Sequence, residues 1–93
     1  MSVNHNTLSE GRIYWSCRRG MLELDLILIP FYQTIYQTLT EAERASFVDL
    51  LTYQDPDIHA WLGGRSLPTD NKLHPIIQRL RDYSLNATRS RSL

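Results

Sequence analysis

The chain has 93 residues with ten basic and ten acidic side chains, so its formal net charge is zero. That length fits one domain, and no run of about eighteen apolar residues is present to insert in a membrane as a helix. A single cysteine, Cys17, excludes an internal disulfide and an all-cysteine metal site, and it fits a reducing compartment.

Residues 1–6 read as a disordered start. Met1 to Glu10 is polar, with neither the apolar segment of a secretory signal nor the arginine-rich pattern of a transit peptide. Thr7, with Glu10 three residues on, forms a capping box, and a first helix is expected from about Leu8 to Arg19. Leu8, Trp15 and the stem of Arg19 fall near one face, with Ile13 and Cys17 beside it. Gly11 weakens this helix by up to about 1 kcal/mol relative to alanine. Arg12 lies about two turns before Arg19, which lets both side chains face the same way. Gly20 has no Cβ, so it can take positive φ and end the helix. Arg18 and Arg19 then sit in the last turn, where cations suit the negative end of the helix dipole. With Gly20 as N-cap of the next helix, Glu23 is its third residue and can reach back to free backbone N–H groups. On this reading Arg19-Gly20-Met21-Leu22-Glu23 is a helix end, a turn and a helix start.

Met21 to Leu39 is apolar at more positions than one helix face needs. Leu24, Ile27, Leu28, Phe31, Ile35 and Leu39 follow helical spacing, while Leu22, Leu24, Leu26 and Leu28 also alternate as in a strand. Nineteen residues is too long for one strand in so small a domain, which favours helix. Pro30 removes a donor and predicts either a kink or two helices meeting there. Phe31, Tyr32 and Tyr36 read as core and core edge. Thr40 and Glu43 form a second capping box, and Phe47, Leu50 and Leu51 share a face of the helix that follows. Asp55 as cap with Pro56 as first helical residue starts a short helix with Ile58, Trp61 and Leu62 inward, and Gly63-Gly64 ends it. Thr69-Asp70 caps a last helix carrying Leu73, Ile76, Ile77, Leu80 and Tyr83, whose regular part begins near His74 because of Pro75. No segment combines strand alternation with a hairpin turn. The prediction is an all-α fold: a single small domain over residues 7–85, a bundle of about five short helices, with a disordered tail over 86–93.

Little of this sequence suggests catalysis. His5, His59 and His74 lie on different segments without metal-ligand spacing, and no glycine-rich phosphate loop follows a strand. Asp55 and Asp57 flank Pro56 and read as a helix start, not an acid–base pair. Cys17 reads as a small packed residue. Residues 1–19 carry a charge of +2, residues 20–60 of −6 and residues 61–93 of +4. The chain lacks the overall basic excess of a nucleic-acid binder, and Arg79, Arg81, Arg89 and Arg91 read as a solvated helix face and tail. By exclusion the chain is a binding protein and not an enzyme.

The run Trp15-Ser16-Cys17-Arg18-Arg19-Gly20-Met21-Leu22-Glu23-Leu24-Asp25 closely resembles the flavinator family of succinate dehydrogenase assembly factors. So do Pro30-Phe31, Leu39 to Glu43, and Asp55-Pro56-Asp57 with Trp61-Leu62, so the resemblance covers roughly residues 9–85. It implies a five-helix bundle that promotes covalent attachment of FAD to the flavoprotein subunit of succinate dehydrogenase, and often of fumarate reductase. The family motif falls on Arg19, Gly20 and Glu23, implied to meet the flavoprotein, with Arg12, Arg18, Met21 and Asp25 at flanking family positions. Arg19 would offer its planar fork of donors to the partner; Glu23 would orient Arg19 or pair with a partner cation. FAD would be inserted into the partner, with no cofactor or metal held by the chain itself. The lack of a targeting extension points to a bacterial cytoplasmic protein, and a monomer is expected. The alternatives are a FAD carrier and a regulatory adaptor or antitoxin-like protein. The Gly63-Gly64-Arg65 loop and the tail depart from the family pattern.

Overall fold

Leu24, Leu28 and Phe31 recur at helical spacing, and all three are buried along one stripe of a helix at the centre of the molecule. The computed structural model describes the backbone of residues 10–91 and the side chains of residues 11–86. Five helices form in chain order: α1 (Glu10–Cys17), α2 (Leu22–Thr34), α3 (Glu41–Leu50), α4 (Asp55–Leu62) and α5 (His74–Arg91). Short 3-10 turns, Tyr36–Thr38 and Asn71–Leu73, precede α3 and α5. No strand occurs among the described residues, and none of their helices is long and apolar enough to cross a membrane. Thr7, Leu8 and the start expected to be disordered lie outside the described residues.

The central helix α2 packs against α1, α4 and α5. Ile13 and Cys17 come from α1, Phe47 and Leu50 from α3, Ile58 and Trp61 from α4, and Ile76, Ile77 and Leu80 from α5. Each large apolar side chain removed from water contributes roughly 1.5–3 kcal/mol. The aromatic group expected at the core edge is there: the Phe31 ring lies 5.4 Å from Phe47 and 5.5 Å from Tyr83, and Tyr36 lies 5.6 Å from Phe47. Cys17 is fully buried, and burial pushes its thiol up to about 12, which makes it unreactive near neutral pH.

Several boundaries differ from the sequence reading. The last turn of α1 stops at Cys17, so Arg18 and Arg19 lie beyond it. Trp15 is 65% exposed, because Ile13 and Cys17 form the inward face. Pro30 sits inside a continuous α2 and not at a break. The donor it lacks would have served the carbonyl of Leu26, a residue that is 49% exposed. In turn, α2 ends at Thr34, and the 3-10 turn carries Tyr36 into the core, with Leu39 buried just after it. Gln54, not Asp55, is the N-cap of α4, so Pro56 is its second residue. The side chain of Asp55 is engaged elsewhere, by Arg19. Asp70 caps the turn before α5 by accepting the Lys72 N–H at 2.9 Å. From His74 the helix α5 runs through Asn86 to Arg91, with no glycine or proline after Pro75 to stop it.

The Thr40 capping box forms in full. Thr40 Oγ1 accepts the Glu43 N–H at 3.1 Å, and Glu43 Oε1 accepts the Thr40 N–H at 2.9 Å. The other oxygen of Glu43 accepts from Arg79 Nε at 3.1 Å, which ties the start of α3 to α5. The Thr40 backbone bond, helped by Arg79, holds the Glu43 carboxyl below its ordinary value of 4.5. A depressed carboxylate contributes stability that is present above the unfolded value and lost as pH falls through the folded one. Glu43→Gln therefore destabilises the domain near neutral pH, and its deficit against wild type shrinks below pH 4.5. Urea unfolding at the two ends of that range measures the change.

Candidate interaction site at the first helix junction

Beyond Cys17 the chain makes one closing turn, with the Arg18 N–H donating to the Trp15 carbonyl at 3.1 Å. Gly20 follows with φ +84°, a conformation that side-chain-bearing residues rarely adopt. Because Gly20 is spent on this turn, the N-cap of α2 moves to Met21, which is extended (φ −107°, ψ 112°) and makes no side-chain cap bond. Glu23 is then the second helical residue and not the third. Its carboxylate does not reach back to cap the helix; it meets His59 Nε2 at 2.8 Å. Asp25 reaches back instead, accepting the Arg19 N–H at 2.7 Å.

The Arg19 side chain turns inward and is only 13% exposed. Its Nε donates to Asp55 Oδ1 at 2.7 Å, its Nη1 to the carbonyls of Ser16 at 2.9 Å and Leu51 at 2.8 Å, and its Nη2 to the carbonyl of Tyr53 at 2.6 Å. One guanidinium thus serves the end of α1, the segment after α3 and the start of α4. The fork expected to meet a partner is filled within the chain, so Arg19 shapes the junction. Nor does Glu23 orient Arg19, since its bond goes to His59. Arg12 and Arg19 do not face the same way, because Arg12 is exposed while Arg19 points into the bundle.

What the junction turns outward is different. A Cβ built on Gly20 meets nothing within 4 Å. Arg18 is exposed and lies over the Trp15 ring, its guanidinium carbon 5.1 Å from the centroid. Leu22 and Leu26, one turn apart on α2, are 70% and 49% exposed. Met21 is half buried and packs against the core. Three large exposed apolar side chains, with the exposed Arg18 and Glu23, therefore lie within six residues of Gly20 along the chain. Trp15, Leu22, Leu26 and His59 are not among the contact residues expected from the sequence. The signal for the leucines was the excess of apolar positions on α2, which supplies two stripes: Leu24, Leu28 and Phe31 inward, Leu22 and Leu26 outward. His59 gave no local signal, because its partner lies 36 residues away.

Among the described residues, no three histidine, cysteine or acidic side chains gather as a metal ligand set. A partly apolar surface with one cation and one anion at its rim suits a protein surface better than a small molecule.

A family model described as flavinator of succinate dehydrogenase matches residues 11–84. The chain is 40% identical over 81 residues to the FAD assembly factor SdhE of Aliivibrio fischeri, covering 86% of this chain and 93% of that protein. It is 39% identical over 80 residues to the FAD assembly factor SdhE of Vibrio cholerae, with the same coverage. The fold is similar to the solution structure of a UPF0350 protein, with a TM-score of 0.72 and 39% identity over 86% of this chain and 85% of that one.

Removing the Arg19 side chain leaves Asp55 and three carbonyls without their donor. Arg19→Ala is expected to cost about 2–3 kcal/mol of stability in urea unfolding. Arg19→Lys recovers less than half of it, since one ammonium cannot serve four acceptors held by a planar fork.

Proposed function

The chain belongs to the flavinator of succinate dehydrogenase family, and on that premise we propose that it binds the flavoprotein subunit and promotes covalent attachment of FAD there. The observation that supports the binding role is Gly20: open space at its Cβ position, with the exposed Trp15 and Arg18 preceding it in the chain and the exposed Leu22 and Glu23 following it. A partner backbone can come close at Gly20 while the apolar side chains around it are covered. An interface of about 800 Å² per side is within reach of a domain this size.

The proposed mechanism asks for no catalytic group on this chain. Joining a flavoprotein side chain to the flavin is chemistry of the cofactor and its host. A helper accelerates it by binding more tightly to the flavoprotein conformer in which the reacting atoms are aligned, and its differential affinity sets how far that population shifts. Arg19 and Asp25 serve by fixing the backbone on either side of Gly20. Arg12, Arg18, Met21 and Glu23 complete the proposed contact, which one copy of the chain presents in full. The setting consistent with this role is the bacterial cytoplasm.

The test separates close approach from backbone strain. Valine and asparagine both add a Cβ at position 20, but asparagine tolerates a left-handed backbone far better. Flavin fluorescence of the denatured flavoprotein subunit, from succinate dehydrogenase and in parallel from fumarate reductase, reports covalent FAD. Wild type is expected to raise it. Gly20→Val and Gly20→Asn are expected to lose the effect, with Gly20→Asn retaining native helicity and Tm. Full covalent flavin with folded Gly20→Asn overturns close approach, and flavin indifferent to wild type overturns the assembly role.

A further inference from the structure

Glu23 reaches the surface with its side chain 72% exposed, yet one of its oxygens is already held. Oε1 lies 2.8 Å from His59 Nε2, and on the opposite side of the ring Arg65 Nη2 lies 2.7 Å from His59 Nδ1. A guanidinium can only donate, so Nδ1 must accept, and the ring proton belongs on Nε2, where it is donated to Glu23. The three side chains form a chain from the end of α4 to the start of α2.

The loop after α4 is shaped for this contact. Gly64, at φ +77°, turns the backbone, and the Arg65 N–H bonds back to the Ala60 carbonyl at 2.9 Å. A Cβ on Gly63 would stand 2.9 Å from Arg65 Nη1 and 3.2 Å from the His59 carbonyl, so a side chain at 63 would crowd the guanidinium that lies against His59. Gly63-Gly64-Arg65 is therefore more than a helix stop.

We propose that His59, set by Arg65, is a positioning residue for Glu23, holding its carboxylate at the junction for a donor group on the docking partner. This rests on the assembly reading above. A neutral imidazole suits the task. It fixes a long, rotatable side chain in place before binding, and unlike a lysine or arginine it leaves the carboxylate charge uncancelled. It occupies Oε1 and leaves Oε2 to accept from a lysine, an arginine or a backbone N–H of the partner.

The test titrates this protein into the covalent-flavin assay and reads the half-saturating concentration and the maximal yield. His59→Leu is expected to raise the half-saturating concentration about fivefold while maximal yield and Tm stay unchanged, in keeping with the modest worth of an exposed pair. His59→Gln, whose amide N–H can replace Nε2–H, is expected to return it to within about twofold of wild type. In a Glu23→Ala background, His59→Leu is expected to change nothing further. Nitrogen chemical shifts of the free wild-type protein are expected to show the Nε2–H tautomer of His59.

The positioning role is overturned by an Nδ1–H tautomer, by equal losses in His59→Gln and His59→Leu, by an undiminished His59→Leu effect without Glu23, or by His59→Leu behaving as wild type. Each of these leaves the assembly role standing if wild type raises covalent flavin. A wild-type protein without effect sinks both.

Discussion

The junction between α1 and α2 depends on where one guanidinium finds its acceptors. A helix ends with carbonyls that have no partner within the helix, and a helix beginning nearby brings further groups to satisfy. Arg19 meets this demand at three places at once, taking carbonyls of Ser16, Leu51 and Tyr53 and the carboxylate of Asp55. Its own N–H is fixed by Asp25. These bonds tie down the backbone just before Gly20, which takes the left-handed conformation that the turn requires. A mobile junction would carry the same residues with none of their geometry.

That constraint divides the motif into two parts. Arg19 is turned in and acts on the shape of the surface. Gly20 and Glu23 are turned out and belong to the surface. The second helix is divided the same way, with Leu24, Leu28 and Phe31 building the core and Leu22 and Leu26 left exposed beside the glycine. Formal charge counted by segment therefore misdescribes the molecule. The negative middle segment includes Asp25 and Asp55, spent on Arg19, and Glu43, spent on Arg79 and a helix cap.

Features whose causes are local were legible in the sequence. The Thr40 capping box, the left-handed Gly20, the stop at Gly63-Gly64, the start of α5 at His74 and the buried stripes of α2 and α5 all follow from residues within one or two turns of each other. Where the structure differs, the cause is tertiary. Local spacing makes Glu23 and Asp55 helix caps and leaves the Arg19 fork open, whereas Glu23 meets His59 and Arg19 takes Asp55, Leu51 and Tyr53, all 32 to 36 residues away. A side chain with several donors or acceptors takes whatever the tertiary structure places beside it, and spacing along the chain does not encode that choice. Of the two outcomes expected at Pro30, two helices meeting there is excluded, since α2 runs through it.

The internal bonding of the junction bears directly on the proposed assembly role. A surface that adapts to any flavoprotein conformer binds all of them equally and shifts none. Discrimination requires that the misaligned conformer meet a clash or an unpaired group. In the proposed contact the exposed Trp15, Leu22 and Leu26 would supply burial that is not directional. Direction would come from a glycine with open space at its Cβ position and a carboxylate held by one oxygen at the edge of α2. Internal hydrogen bonds of Arg19 and Glu23 thus constrain the shape of this surface. Such constraint is the physical requirement for selecting one arrangement of a partner over another.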